Sequence, residues 1–218
     1  MIPVMNIIAW SSEAPWAEQR QIEQDLIISR AIVELFSDEF LRSELRFRGG
    51  TALNKLHFPR AVRPLFGGHR SRQDDSRSYQ ASASPNSRSS GAWLGEARFN
   101  TSSIAPKLIF RAPAEGDEAM LRLRVEIETR EREAYDSLLF IPHAVENPWF
   151  TGQCDVPTYS REEMLATKLR ALLQRNKGRD LFDLIHALAV FDGLDAKRVV
   201  DYSQRYLASR PRDLPGAG

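Results

Sequence analysis

The residues best suited to chemistry in this chain are those that can meet phosphate. Phe47-Arg48-Gly49-Gly50-Thr51 reads as a strand-like entry, a double glycine and a helix start. Such a turn can present backbone N–H groups to an anion, because glycine lets the backbone come close. Thr51 would add a hydroxyl donor, and Lys55 a cation one turn further on. Taken alone, these residues are better accounted for by a plain turn. Lys168 and Arg175 are seven apart on a helical stretch, so they share a face, which suits two cations directed at phosphate. Asp180 is a good cap for the next helix, and Arg179 beside it reads as a surface charge. Glu126 alternates with Val125 and Ile127 and so faces away from them, as a solvent-facing acid on an amphipathic strand would. The single Cys154 excludes an intrachain disulfide and reads as a small packing residue rather than a nucleophile.

The elements that must hold these residues are legible from hydrophobic period. From Trp16 to Leu45, apolar residues recur at helical spacing, which predicts one long helix or two split near Ser37-Asp38. Lys107–Ala112 and Met120–Arg130 alternate, predicting two antiparallel strands joined around Glu115-Gly116-Asp117, and Ser137–Pro142 adds a short one. From Ser160 the chain turns helical, with Ser160 and Glu163 spaced as a capping box. That helix runs to about Gln174, and further helices span Arg179–Phe191 and Asp195–Leu207. Between the two halves, Pro64–Ser90 is different material. Eight of its 27 residues are serine, and its composition is that of a disordered loop.

Length and composition set the outer bounds. A chain of 218 residues with 42% hydrophobic and 27% charged residues is an ordinary soluble domain, or a core with a small appendage. The net charge of +1 gives no global argument for nucleic acid or membrane, although a local basic groove would not register in the total. Met1–Trp10 is apolar but lacks a charged lead-in or a cleavage pattern, and no run approaches the roughly 18 to 20 apolar residues of a membrane span. A cytoplasmic protein is expected.

Two stretches together resemble a known family. Gly49-Gly50-Thr51-Ala52-Leu53 looks like the phosphate-binding turn of the polymerase-β-like nucleotidyltransferase fold. Glu162–Arg175 followed by Gly178-Arg179-Asp180-Leu181-Phe182-Asp183-Leu184 resembles the helix pair of AbiEii/AbiGii-type toxins. Leu123–Glu128 is similar to the family strand that bears a third metal-binding carboxylate, here Glu126. The resemblance implies an α+β nucleotidyltransferase fold, a small mixed or antiparallel sheet flanked by helices, with a C-terminal helical segment. It places the core at 1–150, with 64–90 an aberrant loop, and the helical part at 151–218, shortened relative to many members. It implies transfer of a nucleotide from an NTP to a tRNA or other acceptor with Mg²⁺, and a cognate antitoxin as partner. Gly49, Gly50, Thr51 and Lys55 would bind the nucleotide and Glu126 a metal. Lys168, Arg175, Arg179 and Asp180 would serve the catalytic site. Two alternatives stand beside it: an inactive remnant that binds nucleotide, RNA or an antitoxin only, and a plain helical interaction domain.

One family element is missing. Members carry Ser-x-Asp-x-Asp shortly after the glycine turn, whereas Arg63–Arg72 here has no Asp-x-Asp. Asp74 and Asp75 are adjacent, so they would not project as a pair from one strand face. A compensated frameshift accounts for the loss. Leu65–Arg72 can be encoded by CTA TTC GGA GGA CAT CGA TCT CGT. Read one base later, with C next, the string gives Tyr-Ser-Glu-Asp-Ile-Asp-Leu-Val, the absent element. Permissible codons for Gln73–Gln80 continue in that frame as Arg-Thr-Thr-Pro-Gly-Pro-Ile. The shift would begin near Val62 and be restored by about Ala92. Sequencing the coding DNA across this stretch is expected to show codons compatible with the shifted peptide; codons at Leu65–Arg72 that cannot yield it end the idea.

Overall fold

The computed structural model of the chain describes residues 2–59, 78–81, 98–100, 107–115, 120–128, 134–175 and 178–208. By contact the chain divides into two units, Met1–Glu133 with Leu139–Thr158, and Ala134–Leu138 with Tyr159–Gly218.

The first unit opens with helices α1 (Val4–Trp10), α2 (Gln19–Ser37) and α3 (Glu39–Glu44). The split expected near Ser37-Asp38 is present. Asp38 is extended, and its carboxylate accepts from Leu41 N at 2.9 Å, starting the second helix. Then come β1 (Phe47–Arg48), the short α4 (Gly50–Ala52) and a π-helical turn (Leu53–His57). The remaining strands are β2 (Ser78–Ala81), β3 (Arg98–Asn100), β4 (Lys107–Pro113), β5 (Met120–Ile127), β6 (Leu139–Asn147) and β7 (Phe150–Thr158). They form one sheet in the order β3-β4-β5-β2-β1-β7-β6, parallel at β2/β5 and β1/β7 and antiparallel elsewhere. The β4/β5 pair is the hairpin that alternation predicts: Leu121, Leu123 and Val125 are buried and Arg122 is exposed.

Three expectations shift. Ser137–Pro142 overlaps the start of the nine-residue β6, and β7, which pairs with it throughout, is not legible as a strand because it carries Gly152 and Pro157. The sheet therefore claims the chain as far as Thr158, eight residues beyond the boundary expected at 150. Within the stretch expected to be a loop, Ser78–Ala81 form β2, backbone-paired on both sides. The rest of 64–90, including Asp74 and Asp75, lies outside the described residues, as do Gly116, Asp117 and the tail beyond 208.

Among the described elements, helix α2 gives the unit's core its largest share. Leu26, Ile28, Ile32 and Phe36 are fully buried, each worth about 1.5–3 kcal/mol of apolar transfer, and Phe36 meets Phe47 of β1 at 6.0 Å between centroids. Gly152 admits the helix to β7. A Cβ there would lie 3.0 Å from Val33 Cγ1 and from Phe150 Cζ. On the same helix Asp25 is buried with no exposed surface. Its carboxylate accepts from Trp10 Nε1 (3.0 Å), Trp16 Nε1 (3.1 Å) and Lys55 Nζ (2.5 Å), so α1, α2 and the π-helical turn meet on one charge.

The second unit consists of α5 (Arg161–Arg175), α6 (Gly178–Val190) and α7 (Ala196–Ala208), with the segment Ala134–Leu138. The expected capping box is half made. Glu163 N donates to Ser160 Oγ at 3.2 Å, but the Glu163 carboxylate, fully buried, accepts from Tyr135 N (2.9 Å), Asp136 N (3.2 Å) and Tyr206 Oη (2.6 Å) instead. A carboxylate sealed from water takes the several donors it needs wherever the fold supplies them. Asp136 in turn accepts from Ser160 Oγ and Tyr202 Oη, both at 2.5 Å, and from Arg198. The Tyr135 ring lies 5.3 Å from Tyr202 and 4.8 Å from Tyr206, centroid to centroid. α5, α7 and the segment before the last hairpin are thus tied by two acids.

Asp25 sets a stability prediction. Burial alone would raise its carboxyl; the Lys55 ammonium and the hydrogen bonds from Lys55, Trp10 and Trp16 outweigh that and hold it below its ordinary value. Asp25→Ala, which leaves Lys55 and two indoles without their acceptor, is expected to cost about 3–5 kcal/mol in urea unfolding. The folded value lies below the unfolded one, so this stabilisation is complete above about pH 4 and is lost as the pH falls through the lowered value. Urea midpoints measured on acidification should therefore fall more steeply for the natural chain than for Asp25→Asn.

Candidate functional site

Gly49 has φ 91° and ψ −173°, a conformation that side-chain-bearing residues rarely adopt, so glycine is required where β1 passes into α4. Leu53 N donates to Gly49 O at 3.1 Å and closes the first helical ring. The α-helical part is only Gly50–Ala52 before it widens into the π-helical turn. Aligned peptide dipoles over so short a run add little, so anion affinity here would rest on the amides of Gly49, Gly50 and Thr51 themselves. Lys55, expected to offer its charge to phosphate, places Nζ on Asp25 Oδ2 and 2.8 Å from Ser29 Oγ, so its charge is met inside the unit.

Glu126 sits on β5 opposite Lys107 of β4 and Gln80 of β2. Its Oε1 lies 3.1 Å from Lys107 Nζ and 3.3 Å from Arg124 Nε. Lys107 is its cross-strand partner and Arg124 lies two residues back on the same face, the positions from which a sheet residue meets its neighbours. Mg²⁺ wants near-octahedral oxygen ligation with one or two carboxylates. Around Glu126 the described residues supply cations, and among them no group of three or more His, Cys, Asp or Glu comes together. The described residues around Glu126 do not by themselves supply the ligands the ion needs.

In the second unit the expected residues do converge. Lys168 Nζ of α5 lies 3.2 Å from Asp180 Oδ1, and Arg175 Nη2 lies 3.9 Å from Asp180 Oδ2. The shared face of Lys168 and Arg175 is therefore real, and both cations point to one acid of α6. Asp180 is buried in the first turn of α6, where the exposed amides favour negative charge. Arg179 is also in that turn; its side chain lies outside the described residues. Asp183, part of the same motif but given no site role from sequence, places Oδ2 2.6 Å from Lys168 Nζ, the shorter of the two contacts. Its signal was the spacing of three from Asp180, which puts both acids on one helix face. Cys154 has a thiol pushed up to about 11, chiefly by burial and then by Asp155, which removes the thiolate a nucleophile would need.

This geometry can be set against known proteins. No curated protein matches the chain. Among solved structures, the chain is similar to MenT4, a nucleotidyltransferase toxin of Mycobacterium tuberculosis, at 17% identity and a TM-score of 0.54, over 92% of this chain and 67% of that one. It is also similar to JHP933 from Helicobacter pylori, at 17% identity and a TM-score of 0.50, over 79% of this chain and 67% of that one. At such identity the likeness speaks to the fold, an α+β architecture of the nucleotidyltransferase-toxin kind. The family described as nucleotidyl transferase AbiEii toxin, type IV toxin–antitoxin system, matches residues 73–218, well over half of the chain and including α5 and α6, while the glycine turn lies before the matched region. The chain belongs to the AbiEii nucleotidyltransferase toxin family.

Proposed function

We propose that this chain descends from an enzyme that transfers a nucleotide from an NTP to a tRNA or other RNA acceptor with Mg²⁺, and that its own transfer activity is impaired. What supports the reading is the strand at the centre of the sheet. β2 lies between β1, which leads into the glycine turn, and β5, which carries Glu126. Its residues are Ser78-Tyr79-Gln80-Ala81, none of them acidic, and Gln80 is the register partner of Glu126. A metal-dependent displacement at phosphorus depends on carboxylates that hold the ion. Gly49, Gly50 and Thr51 would retain the capacity to meet phosphate with backbone amides, and Lys168 with Arg175 would serve it in the second unit. No helix among the described residues is long and apolar enough to cross a membrane. We place the protein in the cytoplasm beside a cognate antitoxin.

The second reading, a remnant that binds nucleotide, RNA or antitoxin without turnover, is favoured by one further observation: Glu126 and Lys55 are both engaged in ion pairs.

Label transfer decides between them. Purified protein is incubated with each α-labelled NTP, Mg²⁺ and total tRNA, and labelled RNA is read on a gel. Trace transfer is expected. Replacing residues 65–72 by Tyr-Ser-Glu-Asp-Ile-Asp-Leu-Val should raise it by roughly a hundredfold or more, the scale on which one electrostatic group commonly acts in catalysis. Rapid transfer by the natural chain overturns the impairment, and none by either protein favours the remnant.

A further inference from the structure

Lys168 is held by two carboxylates, and the two are not equivalent. The contact to Asp183 is the shorter, 2.6 Å against 3.2 Å to Asp180. Asp180 is 2% exposed, whereas the Asp183 side chain is 20% exposed. Asp180 Oδ2 is buried and has no hydrogen-bond partner among the described residues, with only Arg175 at 3.9 Å to answer its charge. Asp180 therefore cannot give up Lys168 without leaving a buried charge with one distant cation, a costly state. Asp183 can, because water is at hand to solvate it. Lys168 itself is 12% exposed, so an incoming anion must compete for it at the Asp183 side.

We propose that Asp183 is an internal competitor for the anion that Lys168 binds: it occupies the ammonium in the unliganded protein and must yield before a phosphate oxygen can take its place. Asp180 is the permanent anchor and Asp183 the exchangeable one. The ligand class is a polyphosphate, whose oxygens match the vacated contact in charge and geometry. This sets the affinity of the unit below what its cations alone would give, and it makes removal of an acid a gain in binding. The proposal rests on the reading of Lys168 as a phosphate contact.

Calorimetric titration of the full chain with inorganic tripolyphosphate at low salt tests it. Asp183→Asn keeps size and shape while deleting the competing charge, and Lys168 remains tied to Asp180. It should bind tripolyphosphate about tenfold more tightly than the natural chain, since removing one like charge a few ångströms from the anion is worth at least that much at intermediate dielectric. Asp183→Ser should show the same gain if the asparagine variant fails to fold, with thermal unfolding as the check. Adding Lys168→Met to Asp183→Asn should abolish the gain. Unchanged or weaker binding by both Asp183 variants overturns the proposal. If Lys168→Met alone also binds as the natural chain does, the phosphate reading of Lys168 falls with it. If Lys168→Met binds less well while the Asp183 variants show no gain, only the competitor role is lost. No binding by any of these proteins overturns both.

Discussion

A carboxylate that cannot reach water must find its donors inside the protein, and both units are organised around that demand. In the first, Asp25 draws an indole from α1, a second indole from the stretch before α2, and an ammonium from the turn after α4. Helix α1 is seven residues and α4 three, too short to be stable alone, so they depend on what they dock against. The charge on Asp25 gives them a common point of attachment. It also fixes Lys55, which explains how a lysine well spaced for a ligand comes to serve the scaffold that carries the glycine turn.

The second unit repeats the arrangement with Glu163. Its carboxylate gathers two backbone amides of the 134–138 segment and the Tyr206 hydroxyl of α7. Asp136 adds hydroxyls from the start of α5 and from α7. This network leaves the opposite end of α5 to α6, where Lys168 finds Asp180 and Asp183. Structural and candidate functional acids thus lie in the same unit, Asp136 and Glu163 on one side and Asp180 and Asp183 of α6 on the other, distinguished by their partners. Glu163 is answered by neutral donors, while Asp180 and Asp183 are answered by cations that another anion could take. That difference in partners, rather than residue type, separates the two sets of acids.

The sheet shows the same economy. The central strand β2 offers no acid at Ser78–Ala81, and Glu126 on the neighbouring β5 pairs with Lys107 and Arg124. An acid among basic neighbours on a half-buried strand is stabilised by them, here through contacts that converge on one oxygen, Glu126 Oε1. Backbone pairing needs no particular side chain, so Ser78–Ala81 can complete the sheet as β2.

Much of the fold was legible in the sequence, because local periodicity reports burial directly. The α2/α3 break, the β4/β5 hairpin and the three C-terminal helices all follow from apolar spacing over a few turns or alternations. The glycine turn was equally readable, since a positive φ demands glycine whatever surrounds it. β7 was not, because Gly152 and Pro157 are poor strand formers and its place depends on pairing with β6. Nor was β2, whose residues look like loop and become strand only between two partners. The family motif brought Lys168, Arg175 and Asp180 together on paper, and the helices brought them together in space. Only tertiary structure decided that Lys55 and Glu126 are already paired, that Glu163 abandons its cap, and that Asp183 holds Lys168. Sequence spacing fixes which face a side chain occupies; which opposite charge waits across that face is set by elements distant in the chain, and in a buried setting that partner determines whether a charge is free to act.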